Sequence, residues 1–147
     1  MAGTKTLTII KPGAVSHEYI GPILHKVNDA GFHIAAMKYF RLTRSQARNF
    51  YSVHAEKSFY EHLVEFMTSG PVVVAILEKE NAVGDYRKLI GDTDPSKAQE
   101  GTIRRLFAES IERNAVHGSD SDENADKECD FFFAKSERYS KFEEQHF

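Results

Sequence analysis

The sequence predicts an α/β (α+β) domain, a sheet covered by helices, and three observations carry that expectation. Short β-branched runs alternate with segments whose apolar residues recur at helical spacing. Pro, Gly, Ser and Asp mark the joins between them. The 147 residues are enough to bury one core without staples, so residues 1–147 read as a single domain, with 134–147 as a C-terminal tail.

The elements follow in order. Residues 6–11 (TLTIIK) read as a buried strand closed by Pro12 and Gly13. Ile20, Ile23, Leu24 and Val27 lie at helical spacing, with Gly31 as the C-terminal cap. Residues 32–42 look like a second strand. Thr43 and Gln46 have the capping-box form, a hydroxyl followed three residues later by an amide, and open a helix running through Phe50 and Tyr51. Phe59, Leu63, Phe66 and Met67 mark another amphipathic helix, stopped by Ser69, Gly70 and Pro71. Residues 72–77 (VVVAIL) give the strongest strand signal in the chain. A short helix follows around Val83, Tyr86, Leu89 and Ile90. Periodicity is then lost from Gly91 to Gly101, a long loop for a compact domain and one suited to binding or an interface. Ile103, Leu106, Phe107 and Ile111 restore helical spacing, residues 114–117 are short and extended, and Asp122 and Glu123 suit the positive end of a last helix leading to Phe131 and Phe133. Pairs of strands split by single helices suit a ferredoxin-like βαββαβ core, an antiparallel sheet with additions and a long loop before the last strand.

Composition narrows the function. A net charge of −3, from 19 basic and 22 acidic residues, lacks the basic excess of a protein that lives on nucleic acid. No apolar run approaches the ~20 residues of a membrane span, and no secretory signal is visible. The lone Cys129 excludes an internal disulfide and fits a reducing compartment, so the expected location is cytoplasmic.

The common nucleotide and metal signatures are missing. There is no GxxxxGK[ST] loop, no GxGxxG turn, no CxxC pair and no HExxH. Asp120, Asp122 and Asn124 begin like a calcium loop, but Ala125 and Phe131 stand where that loop needs Gly and Glu. What remains is residues 114–121 (NAVHGSDS). A histidine ending a short strand and followed by Gly118 sits on rigid backbone, with room for a ligand to approach closely. Neutral imidazole is a good nucleophile when an acceptor fixes its other nitrogen, and Glu128 is placed to supply that carboxylate. Seven histidines occur, however, and most in any domain cap or solvate, so spacing alone leaves both readings of His117 open. Lys11, Arg87 and Arg104 are cations of the kind that phosphate transfer gathers around a phosphoryl group, and each taken singly reads equally as surface charge. Tyr51 and Phe59 likewise read as core aromatics.

Four blocks together resemble the nucleoside diphosphate kinases: residues 8–12 (TIIKP), 69–73 (SGPVV), 101–104 (GTIR) and 114–121 (NAVHGSDS). The likeness covers nearly the whole chain and is nearest the bacterial type. It implies a two-step exchange in which a triphosphate passes its γ-phosphate to His117 and a diphosphate collects it. By the resemblance His117 attacks through Nδ1, Glu128 orients its ring and Ser119 lies close to both. Lys11, Tyr51, Arg104 and Asn114 match residues that hold phosphates or ribose hydroxyls. Arg87 and Thr93 match contacts to the outer phosphates, Phe59 the aromatic that stacks on the base, and Asp120 an aspartate near the metal. That metal would be Mg²⁺ carried in on the nucleotide. Stacking alone reads a face every base has, so the implied partners are ATP, GTP and other nucleoside di- and triphosphates. The resemblance also implies a homo-oligomer, tetramer or hexamer, built from dimers, with residues 91–101 at subunit contacts.

One departure stands out: after Lys11 and Pro12 the family usually has aspartate, and this chain has Gly13. Reduced stability or a modest rate loss is expected from it. Two other classes compete with the kinase. One is a catalytically silent nucleotide-binding or scaffolding relative, against which the filled set of His117, Glu128, Lys11 and Arg104 argues. The other is an RNA-binding sheet, against which the charge and the missing aromatic strand pattern argue.

Overall fold

The computed structural model describes residues 3–143, so the end of the expected tail lies outside the described residues. Among these residues four strands form one sheet: β1 (Lys5–Ile10), β2 (His33–Phe40), β3 (Val72–Glu78) and β4 (Val116–Gly118). Their order is β2-β3-β1-β4, and every neighbouring pair is antiparallel. Among the described residues seven α-helices accompany them: α1 (Pro12–Ser16), α2 (Ile20–Asp29), α3 (Arg44–Phe50), α4 (Tyr60–Met67), α5 (Ala82–Ile90), α6 (Ile103–Phe107) and α7 (Asp122–Phe132). The path from β1 through α2 to β2 leaves a gap that β3 fills, and the path from β3 through α5 to β4 leaves a gap that β1 fills. These two interleaved crossovers are the expected βαββαβ core. The segment from α3 to α4 is the addition between β2 and β3.

Both faces of the sheet are covered, which explains the unbroken burial of β3. Val72, Val74 and Ile76 point to a core shared with Leu7, Ile9, Val64, Met67, Cys129 and Phe132. Val73, Ala75 and Leu77 alternate to the other face, against Ile23, Val27, Tyr86, Ile90 and Ile103. Among the described residues no helix is long and apolar enough to cross a membrane.

Local signals formed as read. Thr43 and Gln46 make both bonds of the capping box. Gly31 takes a positive φ of 93° just past α2, where the chain must leave the helix left-handed. No helix or strand forms between Ile90 and Ile103.

Three details differ from the sequence reading. Pro12 and Gly13 do not break the chain but open α1, with proline in the first turn, where its missing N–H costs nothing. α6 stops at Phe107, so Ile111 lies outside the helix and is 58% exposed. The tail is also more tightly docked than its polar composition suggests. Tyr139 N–H donates to Ala35 O at 2.7 Å. Lys141 N–H donates to the buried Glu78 carboxylate at 2.9 Å, and Ser140 Oγ donates to the same group. These contacts use backbone and one buried carboxylate, which an apolar pattern does not report.

Gly13 occupies the second residue of α1, a helix with no acidic residue in its first turn. A Cβ built there meets Phe66 at an ordinary 3.6 Å, and the position faces a small cavity also lined by Arg113. Gly13→Asp should therefore stabilise the protein by about 1 kcal/mol, through lower chain entropy and an anion at a helix N-terminus. Urea unfolding checks this; an unchanged midpoint and turnover would make the glycine neutral.

Candidate active site

The site grows from the junction of β1 and β4. Ile9 pairs with His117 and Ile10 with Val116. Lys11, one residue beyond β1, donates its backbone N–H to Ala115 O at 2.9 Å. Just before β4 the chain makes a tight turn: Val116 N–H reaches Asn114 O at 2.9 Å, with Ala115 at φ 73°. A non-glycine residue held left-handed inside a three-residue turn is strained, and such strain persists only where the surroundings fix it. Here Lys11 N–H fixes Ala115 O, and the Arg104 guanidinium donates to Asn114 O (3.3 Å), Gly91 O (3.0 Å) and Val116 O (2.9 Å).

His117 is central in β4 rather than at its end. Its Nε2 lies 2.8 Å from Glu128 Oε1, on α7. Ser119, fully buried, donates its hydroxyl to the same oxygen at 2.6 Å and accepts Leu7 N–H at 3.1 Å. Glu128 is thereby anchored to β1, and the ring it touches is fixed in turn. Among the described residues no hydrogen bond engages Nδ1 of His117, so a carboxylate on Nε2 leaves Nδ1 as the nitrogen with a lone pair to share. Phe50 packs edge-on to the imidazole, with centroids 5.4 Å apart. Beneath it, Thr8 Oγ1 donates to His117 O at 2.8 Å and meets Tyr86 Oη at 2.6 Å. Burial pushes the Tyr86 phenol up to about 12, so it stays a neutral hydrogen-bonding group.

The cations are buried. Lys11 is 8% exposed, and its ammonium donates to Asn114 Oδ1 at 2.7 Å. Burial, with the Arg104 guanidinium adding to it, pulls its pKa down to about 7. Arg104 is also 8% exposed and lowered by burial, with Arg87 adding to the effect and Tyr86 and Asp92 opposing it. Among the described residues neither cation forms an ion pair with a carboxylate. Two buried positive groups held by neutral oxygens are a costly arrangement unless an anion visits them. Tyr51 adds a second unsatisfied feature: its buried hydroxyl has no hydrogen-bond partner among the described residues, and burial raises its pKa.

Around this centre the remaining expected residues divide. Phe59, 48% exposed at the start of α4, lines a groove of about 480 Å³ with Lys11 and Asn114. Arg87 and Thr93 line a neighbouring concavity of about 460 Å³, which Arg104 also borders. Asp120 is exposed and accepts Asn124 Nδ2–H at 2.6 Å. Among the described residues no group of three His, Cys, Asp or Glu could hold a metal ion by itself. A lone exposed carboxylate is too few donors for a protein-only site, and suits only a hard cation whose other oxygens come from elsewhere.

Three features escaped the sequence reading: Phe50, the Thr8–Tyr86 pair and the strained Ala115. Phe50 and Tyr86 carried only a core signal, and alanine is no turn residue. Gly118 also needs correction. A Cβ there would lie 3.1 Å from both Ile90 and Tyr86, so its bareness serves packing rather than the approach of a ligand. Cys129 is fully buried, and burial pushes its thiol up to about 12, an inert state.

The α+β fold thus gathers His117, Glu128 and two buried cations at one end of its sheet. A model of the family described as nucleoside diphosphate kinase matches residues 4–138. The nucleoside diphosphate kinase of Chlorobium limicola is 56% identical over 133 residues, 90% of this chain and 95% of that protein. That of Salinibacter ruber is 50% identical over 137 residues, 93% and 96% of the two chains. Among solved structures, the Aquifex aeolicus nucleoside diphosphate kinase superposes with a TM-score of 0.89 at 44% identity, covering 91% of this chain and 97% of that one. The Halobacterium salinarum enzyme, solved in complex with CDP, gives 0.88 at 32%, covering 92% and 91%. The chain belongs to the nucleoside diphosphate kinase family, phosphotransferases that move a terminal phosphate from a nucleoside triphosphate to a diphosphate.

The depressed lysine makes a pH prediction. Unfolded Lys11 keeps its proton up to the ordinary 10.5, whereas the folded side chain gives it up near 7. Between those values the unfolded chain binds more protons, so this residue's contribution to stability rises with pH. The unfolding free energy of wild type relative to Lys11→Met should increase by about 2 kcal/mol from pH 7 to pH 9. A flat difference would place the Lys11 ammonium in water.

Proposed function

We propose that His117 is the phosphorylated nucleophile of this enzyme. The observation that carries the reading is the 2.8 Å contact between Nε2 and Glu128, which leaves Nδ1 for attack. In the first half-reaction Nδ1 bonds to the γ-phosphorus of a triphosphate, the bond to the bridging oxygen breaks, and the diphosphate departs with that electron pair. The imidazole gains positive charge as it bonds, and Glu128 stabilises it while Ser119 keeps the carboxylate in place. In the second half-reaction a terminal phosphate oxygen of an acceptor diphosphate attacks the same phosphorus, and the N–P bond breaks. The exchange is ping-pong, and both halves use one site.

Lys11 and Arg104 are the cations of this scheme. A phosphate chain reaching them meets positive groups already stripped of water, where electrostatic stabilisation of the transferring oxygens is strong. Asn114 and the unpartnered Tyr51 hydroxyl serve phosphate or ribose oxygens, and Arg87 and Thr93 serve the outer phosphates. Phe59 stacks on the base and supports broad base acceptance. When bound, Mg²⁺ on the nucleotide would neutralise phosphate charge, and Asp120 is the protein carboxylate that we assign to it.

We further read the chain as one catalytic domain with residues 134–147 as a tail, active in the cytoplasm on ATP, GTP and other nucleoside di- and triphosphates. It assembles as a homo-oligomer, tetramer or hexamer built from dimers, and takes no specific nucleic acid. Incubation with γ-labelled ATP and Mg²⁺, followed by unlabelled GDP, tests the central step. Wild type should carry an acid-labile label that chases into GTP, and His117→Ala should carry none. A label retained in the variant, or none on folded wild type, would contradict the reading.

A further inference from the structure

The groove that holds Phe59 has two unlike ends. Lys11 and Asn114 close its inner end and are 8% and 9% exposed. Its outer end is bordered by His62 and Glu112, whose side chains are 71% and 76% exposed. These two come from opposite walls. Phe59, His62, Leu63 and Phe66 recur at helical spacing and turn one face of α4 to the groove. Glu112 stands on the loop between α6 and β4. That loop is closed on itself: Glu109 N–H donates to Arg113 O at 3.0 Å, and Arg113 N–H to Ser110 Oγ at 3.1 Å. The walls meet where His62 Nε2 lies 3.5 Å from Glu112 Oε2.

We propose that Glu112, facing His62 across the groove mouth, is a specificity-determining residue that favours guanine among acceptor bases. The inference rests on the reading above that phosphates lie at the Lys11 end and the base at the Phe59 end. A base stacked on Phe59 with its phosphates inward turns its outer edge toward the mouth. Stacking does not tell bases apart, so any preference must come from the polar groups at that edge. A carboxylate only accepts hydrogen bonds. Guanine offers two adjacent donors, N1–H and the N2 amino group, which match one carboxylate. Adenine and cytosine offer one amino group beside a ring acceptor, and thymine and uracil one N–H between two carbonyls that repel it. His62 acts as a positioning residue: it restrains the free motion of an exposed glutamate before the base arrives, which lowers the ordering cost of binding.

The test is the ratio of kcat/KM for GDP over dTDP as acceptor, measured with one donor on the intact enzyme. Wild type should favour GDP. Glu112→Gln, at an exposed position that should not disturb folding, should lower that ratio by about three- to tenfold. His62→Gln should lower it in the same direction, and Glu65→Gln, a second exposed carboxylate on the groove, should leave it near the wild-type value. A ratio unchanged in Glu112→Gln, or lowered equally by Glu65→Gln, would overturn the inference; the latter result would mean general charge rather than contact with the base. Phosphohistidine formation, read beforehand, separates this failure from failure of the histidine mechanism, because the label would then be absent whatever the acceptor.

Discussion

The structure depends on burying two cations that, among the described residues, no carboxylate pairs with. Lys11 and Arg104 are each 8% exposed, and both are held by neutral oxygens. Burial of this kind opposes folding, and the fold carries it because the positions are fixed from several directions at once. Arg104 reaches three carbonyls on two segments, and Lys11 is tied through its own N–H to Ala115. The same bonds hold Ala115 in its strained turn and so set where β4 begins. Charge, strain and strand position form one coupled unit.

The histidine sits on the other side of that unit. Its backbone belongs to β4, paired with β1, and its carbonyl is held by Thr8. Its ring is held by Glu128, and Glu128 by Ser119, which is itself bonded to Leu7 of β1. Every link returns to β1, which like β3 has a neighbouring strand on each side. Groups on rigid elements, each supported by a second hydrogen bond, are the arrangement that keeps a reacting atom in place. The aromatic wall of Phe50 completes it from α3.

Much of this was legible in the sequence, and the limits have physical causes. β3 was plain because both its faces are buried, giving an unbroken apolar run. The capping box at Thr43 and the glycine at position 31 were plain because local backbone needs dictate them. His117, Glu128, Lys11 and Arg104 could be named from the family resemblance, yet periodicity alone left each ambiguous, since a buried cation and a surface cation look alike in one dimension. Phe50 was hidden by its dual role, as a core aromatic that also touches the His117 ring. α1 was missed because proline and glycine in sequence signal a break, although proline opens a helix as readily as it ends one. The tail was missed because it docks through backbone hydrogen bonds and the buried Glu78.

The proposed chemistry turns on one atom: Glu128 on Nε2 reserves Nδ1 for the phosphoryl group. Nitrogen-15 and phosphorus-31 NMR of the phosphorylated enzyme, labelled in histidine, identifies the nitrogen bonded to phosphorus. Phosphorus is expected on Nδ1 of His117, with Nε2 still protonated and hydrogen-bonded. Phosphorus on Nε2, or on a different residue, would contradict it.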